Sequence, residues 1–228
     1  MVSVIIVAAG KGTRMGAATR KQYLSLSGVP IVGITLGVFD ECDAIQGIFL
    51  VIPENDFDFC RDEVLVPLNL QNQVTLVPGG ATRQDSVYKG LSALDDPGGI
   101  VLIHDGVRPF VRHEEIMACI RAAEADGACI LGLPAFDTLK GVNAAGYIEQ
   151  TFERAGVWLA QTPQAFQYEL ICRAHESAIA DGFTGTDDAS LVERMGKAVR
   201  VISGSRYNIK ITTPEDLRIA AATREFFQ

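Results

Sequence analysis

Nothing in this sequence is arranged to cross-link the chain or to hold a structural metal. The five cysteines, Cys42, Cys60, Cys119, Cys129 and Cys172, are odd in number and scattered, and no pair has CxxC spacing. They are expected to be core thiols, which suits a reducing cytoplasm. Histidine is scarcer, with three residues that share no ligand spacing. No apolar run approaches the roughly 20 residues of a membrane span. The apolar start at 2–9 also lacks the basic flank and cleavage site of a secretory leader. Basic residues are the minority charge, 20 Lys plus Arg against 28 Asp plus Glu, for a net charge of −8. That argues against nucleic acid or an anionic membrane as a partner. A small anionic substrate stays possible, because charge beyond about 8 Å is largely screened and a local cluster of cations suffices.

What is present is apolar and globular. Of 228 residues, 48% are hydrophobic and 21% charged, outside the range of a disordered chain. Continuous β-branched or Leu-rich runs at 3–7, 47–52, 74–77, 100–104, 129–133 and 198–202 read as strands covered on both faces. Amphipathic stretches at 31–39, 56–64, 81–94, 113–125, 168–180, 187–195 and 214–226 read as helices. Thr213-Pro214-Glu215-Asp216 carries the start signals of the last, and Gly127 and Gly196 mark helix ends. The alternation predicts a single α/β domain over 1–228: a three-layer, mainly parallel, Rossmann-like sheet. Residues 134–158 break the rhythm with a polar hairpin around Gly146. A two-stranded arm is marginal alone, so a homodimer with an exchanged arm and a plain surface hairpin are both open on pattern.

Parallel sheets bind ligands beyond the carboxyl ends of their strands. After the first strand comes Ala8-Ala9-Gly10-Lys11-Gly12-Thr13-Arg14-Met15-Gly16, then Lys21-Gln22-Tyr23. Three glycines let backbone N–H groups approach an anion, and Arg14 and Lys21 add positive charge. The spacing fits neither a Walker A loop nor a dinucleotide fingerprint, since Ile5 and Met15 stand where each needs glycine. Gly79-Gly80-Ala81-Thr82-Arg83-Gln84-Asp85-Ser86 is a second glycine turn; it could read a base edge, or be only a turn with Thr82 as N-cap. In His104-Asp105-Gly106-Val107-Arg108-Pro109, Asp105 is placed for a ribose hydroxyl or a metal, or simply caps the turn. His104 reads as a packed strand-end residue. Thr162-Pro163-Gln164 reads as a turn and Thr186-Asp187-Asp188 as a helix N-cap. Lys210 sits in a short apolar strand at 208–212, where a cation needs an anionic partner. Cations without a nucleophile or base suit phosphoryl or nucleotidyl transfer, in which the attacking phosphate oxygen is already an anion.

Ala8-Ala9-Gly10-x-Gly12-x-Arg14-Met15 with Lys21-Gln22-Tyr23 resembles the signature loop of sugar-nucleotide-type nucleotidyltransferases. His104-Asp105-x-x-Arg108-Pro109, Asp137-Thr138-Leu139-Lys140, Thr162-Pro163-Gln164-Ala165-Phe166, Thr186-Asp187-Asp188-Ala189-Ser190 and Asn208-Ile209-Lys210-Ile211-Thr212 narrow it. Together they resemble the 2-C-methyl-D-erythritol 4-phosphate cytidylyltransferase family of non-mevalonate isoprenoid synthesis. The resemblance implies transfer of CMP from CTP to a sugar-alcohol phosphate, with Mg²⁺ held mainly by the CTP phosphates. It implies that Arg14 and Lys21 hold the triphosphate, and that Arg154 and Lys210 position the attacking phosphate. Ala8, Ala9, Gly10, Gly12, Gly79, Gly80, Ser86 and Asp105 would surround the nucleotide. Arg108, Thr138, Thr162, Thr186 and Asp187 would surround the acceptor. It also implies a homodimer in which the arm carrying Thr138 and Arg154 completes a neighbour's site. Arg20 and Tyr207 depart from the family pattern. Rival readings are ribitol 5-phosphate cytidylyltransferase, a non-catalytic nucleotide-binding module and, against the glycine spacing, a nicotinamide dehydrogenase.

Overall fold

In the computed structural model, which describes residues 1–10, 20–94 and 98–226, the continuous apolar runs become the centre of one sheet. In chain order the strands are β1 (Val2–Val7), the short pair β2 (Ser25–Leu26) and β3 (Val29–Pro30), β4 (Gly47–Ile52), β5 (Val74–Pro78) and β6 (Ile100–Asp105). They continue as β7 (Ala128–Pro134), β8 (Lys140–Val142), β9 (Ile148–Thr151), β10 (Trp158–Gln167) and β11 (Arg200–Ser203). Helices α1 (Ile31–Asp40), α2 (Phe57–Cys60), α3 (Val66–Leu68), α4 (Arg83–Ser92), α5 (His113–Asp126), α6 (Tyr168–Ala180) and α7 (Asp188–Arg194) lie between them, and α8 (Pro214–Arg224) follows the last strand. A π-helical turn, Arg61–Leu65, joins α2 to α3.

The main sheet has seven strands in the order β11-β7-β10-β6-β1-β4-β5. Every pairing is parallel except those of β10, which runs antiparallel to both β6 and β7. Successive side chains of a strand point to opposite faces. On β1, Val4 and Ile6 pack with Leu36, Phe39 and Leu50. Ile5 packs on the other face with Val87, Leu91 and Phe166. Both faces are covered, which is why the run is continuous rather than alternating. Each such fully buried side chain contributes about 1.5–3 kcal/mol.

Helix starts follow local chemistry. Thr82 and Thr213 each form a capping box, with Asp85 and Asp216 respectively, and Pro214 occupies the first turn of α8. Gly127 ends α5 with φ 87°, as the sequence indicated. All five cysteines are free thiols; Cys42, Cys60, Cys119 and Cys129 are buried. Among the described residues no helix is long and apolar enough to cross a membrane.

Two expectations are corrected. Thr162-Pro163-Gln164 is not a turn but the middle of β10, whose register shifts between Gln161 and Gln164. Proline cannot donate to a ladder, so it sits at that irregularity, and its neighbours mimic a turn locally. Residues 208–212 are not a strand either. They form a loop pinned by Asn208 Nδ2 donating to Thr162 O (2.8 Å) and Ile211 N donating to Val107 O (2.9 Å). Within 134–158, β8 and β9 make a separate antiparallel hairpin that leaves Val142, Tyr147 and Ile148 exposed.

Candidate active site

Three strand ends meet at one edge of the sheet. Val7 stands level with Asp105 in the β1–β6 register, and the order reverses there: β4 and β5 lie to one side of β1, β6 and its followers to the other. Such a switch point leaves a crevice. Here the crevice is a cavity of about 530 Å³ that brings together Ala8, Ala9, Gly10, Lys21, Gly80, Ser86, Asp105 and Lys210. Gly12 and Arg14 lie outside the described residues.

One wall depends on missing side chains. A Cβ on Gly79 would lie 2.4 Å from Ala9 Cβ, and one on Gly80 2.3 Å from Asp85 Cβ. Only glycine lets the turn after β5 close on the loop after β1. The Ser86 hydroxyl accepts from Gly80 N–H (3.0 Å) and donates to Thr82 O (2.8 Å). It therefore shapes the turn, and its single proton is spent there.

The floor is a carboxylate among cations. Asp105 Oδ2 faces Lys210 Nζ at 2.9 Å and Arg108 Nε at 3.3 Å, while Oδ1 faces Arg83 Nε at 3.5 Å. Burial alone would raise its pKa, but Arg83, Lys210 and Arg108 outweigh this and hold it well below the usual carboxylate range. The partner that the sequence demanded for Lys210 is thus Asp105, although Lys210 is delivered by a loop and not a strand. Arg108 also donates to Asn208 O at 2.7 Å, which ties the Lys210 loop to the end of β6.

Thr162 and His104 form a buried pair behind the floor. Thr162 Oγ1 accepts from Asp105 N–H (3.1 Å) and lies 3.1 Å from His104 Nδ1; His104 Nε2 lies 2.9 Å from Arg108 O. A carbonyl only accepts, so Nε2 carries the proton and Nδ1 accepts from the threonine. Desolvation, the largest influence, pushes the imidazole pKa down from 6.5 to about 4. Its contribution to stability is complete above the unfolded pKa and is lost as pH falls from 6.5 through 4, because there the unfolded chain binds the extra proton. The expected loss is about 2 kcal/mol by pH 5. Thermal unfolding from pH 7.5 to 5 checks this: His104→Asn should flatten the Tm slope, and an unchanged slope would refute the assignment.

Lys21 opens a 3₁₀ turn, Lys21–Tyr23, whose Gln22 and Tyr23 are buried. Tyr23 packs edge-on to Phe59, with ring centres 5.0 Å apart. Arg20, one of the two departures, forms an ion pair with Asp56 at 2.9 Å. Its charge is directed to the 3₁₀ turn Glu54–Asp56. Tyr207, the other departure, is half exposed, and its N–H donates to Ser205 Oγ at 3.1 Å.

Other expected residues stand apart from the cavity. Asp187 is the N-cap of α7, accepting from Ser190 N–H (3.0 Å) and from Gln164 Nε2 (2.7 Å). Thr186 is exposed beside it. Thr138 and Arg154 lie on the arm, both exposed and neither lining the cavity; Arg154 Nη1 donates to Phe136 O. Three residues escaped the sequence reading. Arg83 bridges Asp105 and Asp188, and Asp188 also faces His175. Asp188 reads locally as a dipole-matching acid, and only its complete burial reveals the pairing.

The whole chain has relatives. The family model described as IspD, 2-C-methyl-D-erythritol 4-phosphate cytidylyltransferase, matches residues 2–225. A protein of that name from Geobacter metallireducens is 50% identical over 226 residues, covering 97% of this chain and 96% of its own. The crystal structure of 4-diphosphocytidyl-2C-methyl-D-erythritol synthase from Anaerococcus prevotii superposes with a TM-score of 0.86 at 35% identity, covering 98% of this chain and 96% of that one. The Francisella tularensis cytidylyltransferase superposes with a TM-score of 0.84 at 30% identity, over 97% and 99% of the two chains. Matched over nearly its full length in both sequence and fold, the chain belongs to the 2-C-methyl-D-erythritol 4-phosphate cytidylyltransferase family.

Proposed function

We propose that this chain transfers CMP from CTP to 2-C-methyl-D-erythritol 4-phosphate in non-mevalonate isoprenoid synthesis. The observation that carries the reading is the entry of Lys21 and Lys210, from distant segments, into one cavity that Gly80 also lines. An acceptor phosphate oxygen attacks the α-phosphorus of CTP in line. The bond from that phosphorus to the bridging oxygen breaks, and pyrophosphate leaves with the electron pair. The nucleophile is already anionic, so no side chain needs to remove a proton. Catalysis is then positioning and charge stabilisation.

In this reading the 8–10 segment, Gly12 and the 79–86 turn enclose the nucleoside, and Arg14 and Lys21 hold the triphosphate. Lys210 is part-exposed at the cavity floor, so one N–H of its ammonium can stay on Asp105 while another donates to a phosphate oxygen. In the same reading Arg108, Thr186 and Asp187 would surround the acceptor, and Thr162 would support that side from behind Asp105. Exposed Val142, Tyr147, Ile148 and Phe152 on the arm support a homodimer in which Thr138 and Arg154 serve the partner's cavity. Mg²⁺ is assigned to the CTP phosphates and water. Among the described residues no cluster of three His, Cys, Asp or Glu side chains exists, and the cavity's one carboxylate, Asp105, is already engaged by three cations. Burial of free thiols supports a cytoplasmic setting.

Pyrophosphate release measured with CTP and each acceptor tests the reading. Methylerythritol phosphate is expected to exceed ribitol 5-phosphate in kcat/KM by about 10² or more, since a site built to pair specific hydroxyls rejects mismatched ones. The reverse preference, or CTP binding without turnover, would overturn it.

A further inference from the structure

We infer that Arg83, Asp188 and His175 form a positioning relay that fixes the Asp105 carboxylate and, through it, the ammonium group of Lys210. The inference rests on the cytidylyl-transfer reading above. Arg83 spans two acids from the first turn of α4: Nε faces Asp105 at 3.5 Å, and Nη1 donates to Asp188 Oδ2 at 2.7 Å. Asp188 is 1% exposed, and a buried carboxylate is stable only when paired. Its second oxygen faces His175 Nε2 at 3.3 Å, and His175 is completely buried with Tyr88 stacked at 6.1 Å. Gln164 Oε1 accepts the N–H groups of Asp188 and Ala189, both at 3.1 Å, and so fixes the start of α7 to β10.

The relay ends inside the cavity, because Arg83 lines it. The division of labour on Asp105 gives the relay its purpose. Arg83 takes Oδ1, and Arg108 and Lys210 share Oδ2. With Oδ1 held, the carboxylate plane is set and Oδ2 presents a fixed seat to Lys210. Lysine cannot replace Arg83, since two separate nitrogens of one planar fork reach two acids at once.

Steady-state kinetics of Arg83→Lys and Asp188→Asn, each alone and combined with Lys210→Met, test the relay, with Tm recorded for all. Each single variant is expected to lower kcat about tenfold with less than about a threefold change in KM for CTP. In the Lys210→Met background the further loss should fall below about twofold, because the relay acts only through that lysine. A purely structural role would lower kcat by the same factor in both backgrounds, and that result, or unchanged kcat in the single variants, would overturn the inference. Arg83→Lys carries the test by itself if Asp188→Asn does not fold, because Arg83 lies at the partly exposed cavity edge. Absence of turnover in the unsubstituted enzyme would instead fail the cytidylyl-transfer reading, and the relay with it.

Discussion

Lys210→Ala is expected to lower kcat for CMP transfer by about 10²–10³, the loss seen when one preorganised charge-stabilising donor is removed. The fold should be spared. The loop at 208–212 is held by Asn208 donating to Thr162 O and by Ile211 N–H donating to Val107 O, neither of which involves the lysine side chain. Asp105 keeps Arg83 and Arg108 as partners, so no buried acid is left unpaired. The measurement is kcat and KM for CTP alongside Tm. A fall in kcat with modest change in KM marks a charge used in the transition state, whereas a rise in KM alone marks ground-state binding. Lys21→Ala is expected to behave alike, since Lys21 enters the same cavity. Turnover within about threefold of the parent in both folded variants would remove the basis of the mechanism.

Arg154→Ala should be nearly inactive alone and should recover activity when mixed with Lys21→Ala. If each site takes Lys21 from one subunit and Arg154 from its partner's arm, half of the dimers in an equal, re-equilibrated mixture are mixed. Each mixed dimer holds one intact site of two, so the mixture should regain about a quarter of parental specific activity. Arg154 does not line its own chain's cavity, and the arm that carries it exposes a row of large apolar side chains. Both facts favour donation to a neighbour. Mixing without recovery, under conditions where subunit exchange is shown directly, would place Arg154 in its own chain's site or in none.

Several site residues were legible because local chemistry requires them. Gly79 and Gly80 between a strand and a helix, and Asp105 at a strand end, follow from backbone geometry that few residues satisfy, while Gly12 and Gly16 of the loop after β1 lie outside the described residues. Lys210 was legible as a cation that needs an anion, even with the wrong secondary structure assigned to it. Arg83 and Asp188 were not. Their ion pair joins positions 105 residues apart, at the start of α4 and the first turn of α7. Each has a satisfying local explanation, a turn residue in one case and a dipole-matching acid in the other, so neither signals an unmet need.

Local physics by itself determined most of the elements: the doubly covered strands, the capping boxes of α4 and α8, and the glycine that ends α5. Each depends on contacts within one or two turns of chain, or on the two-faced burial written into a continuous apolar run. Tertiary structure alone decided that β10 enters antiparallel between β6 and β7, carrying Thr162 to the back of Asp105. It also decided which acid each buried cation would meet. The energy of a charge pair depends on separation in space and on the water removed around it, and neither quantity is a property of sequence distance.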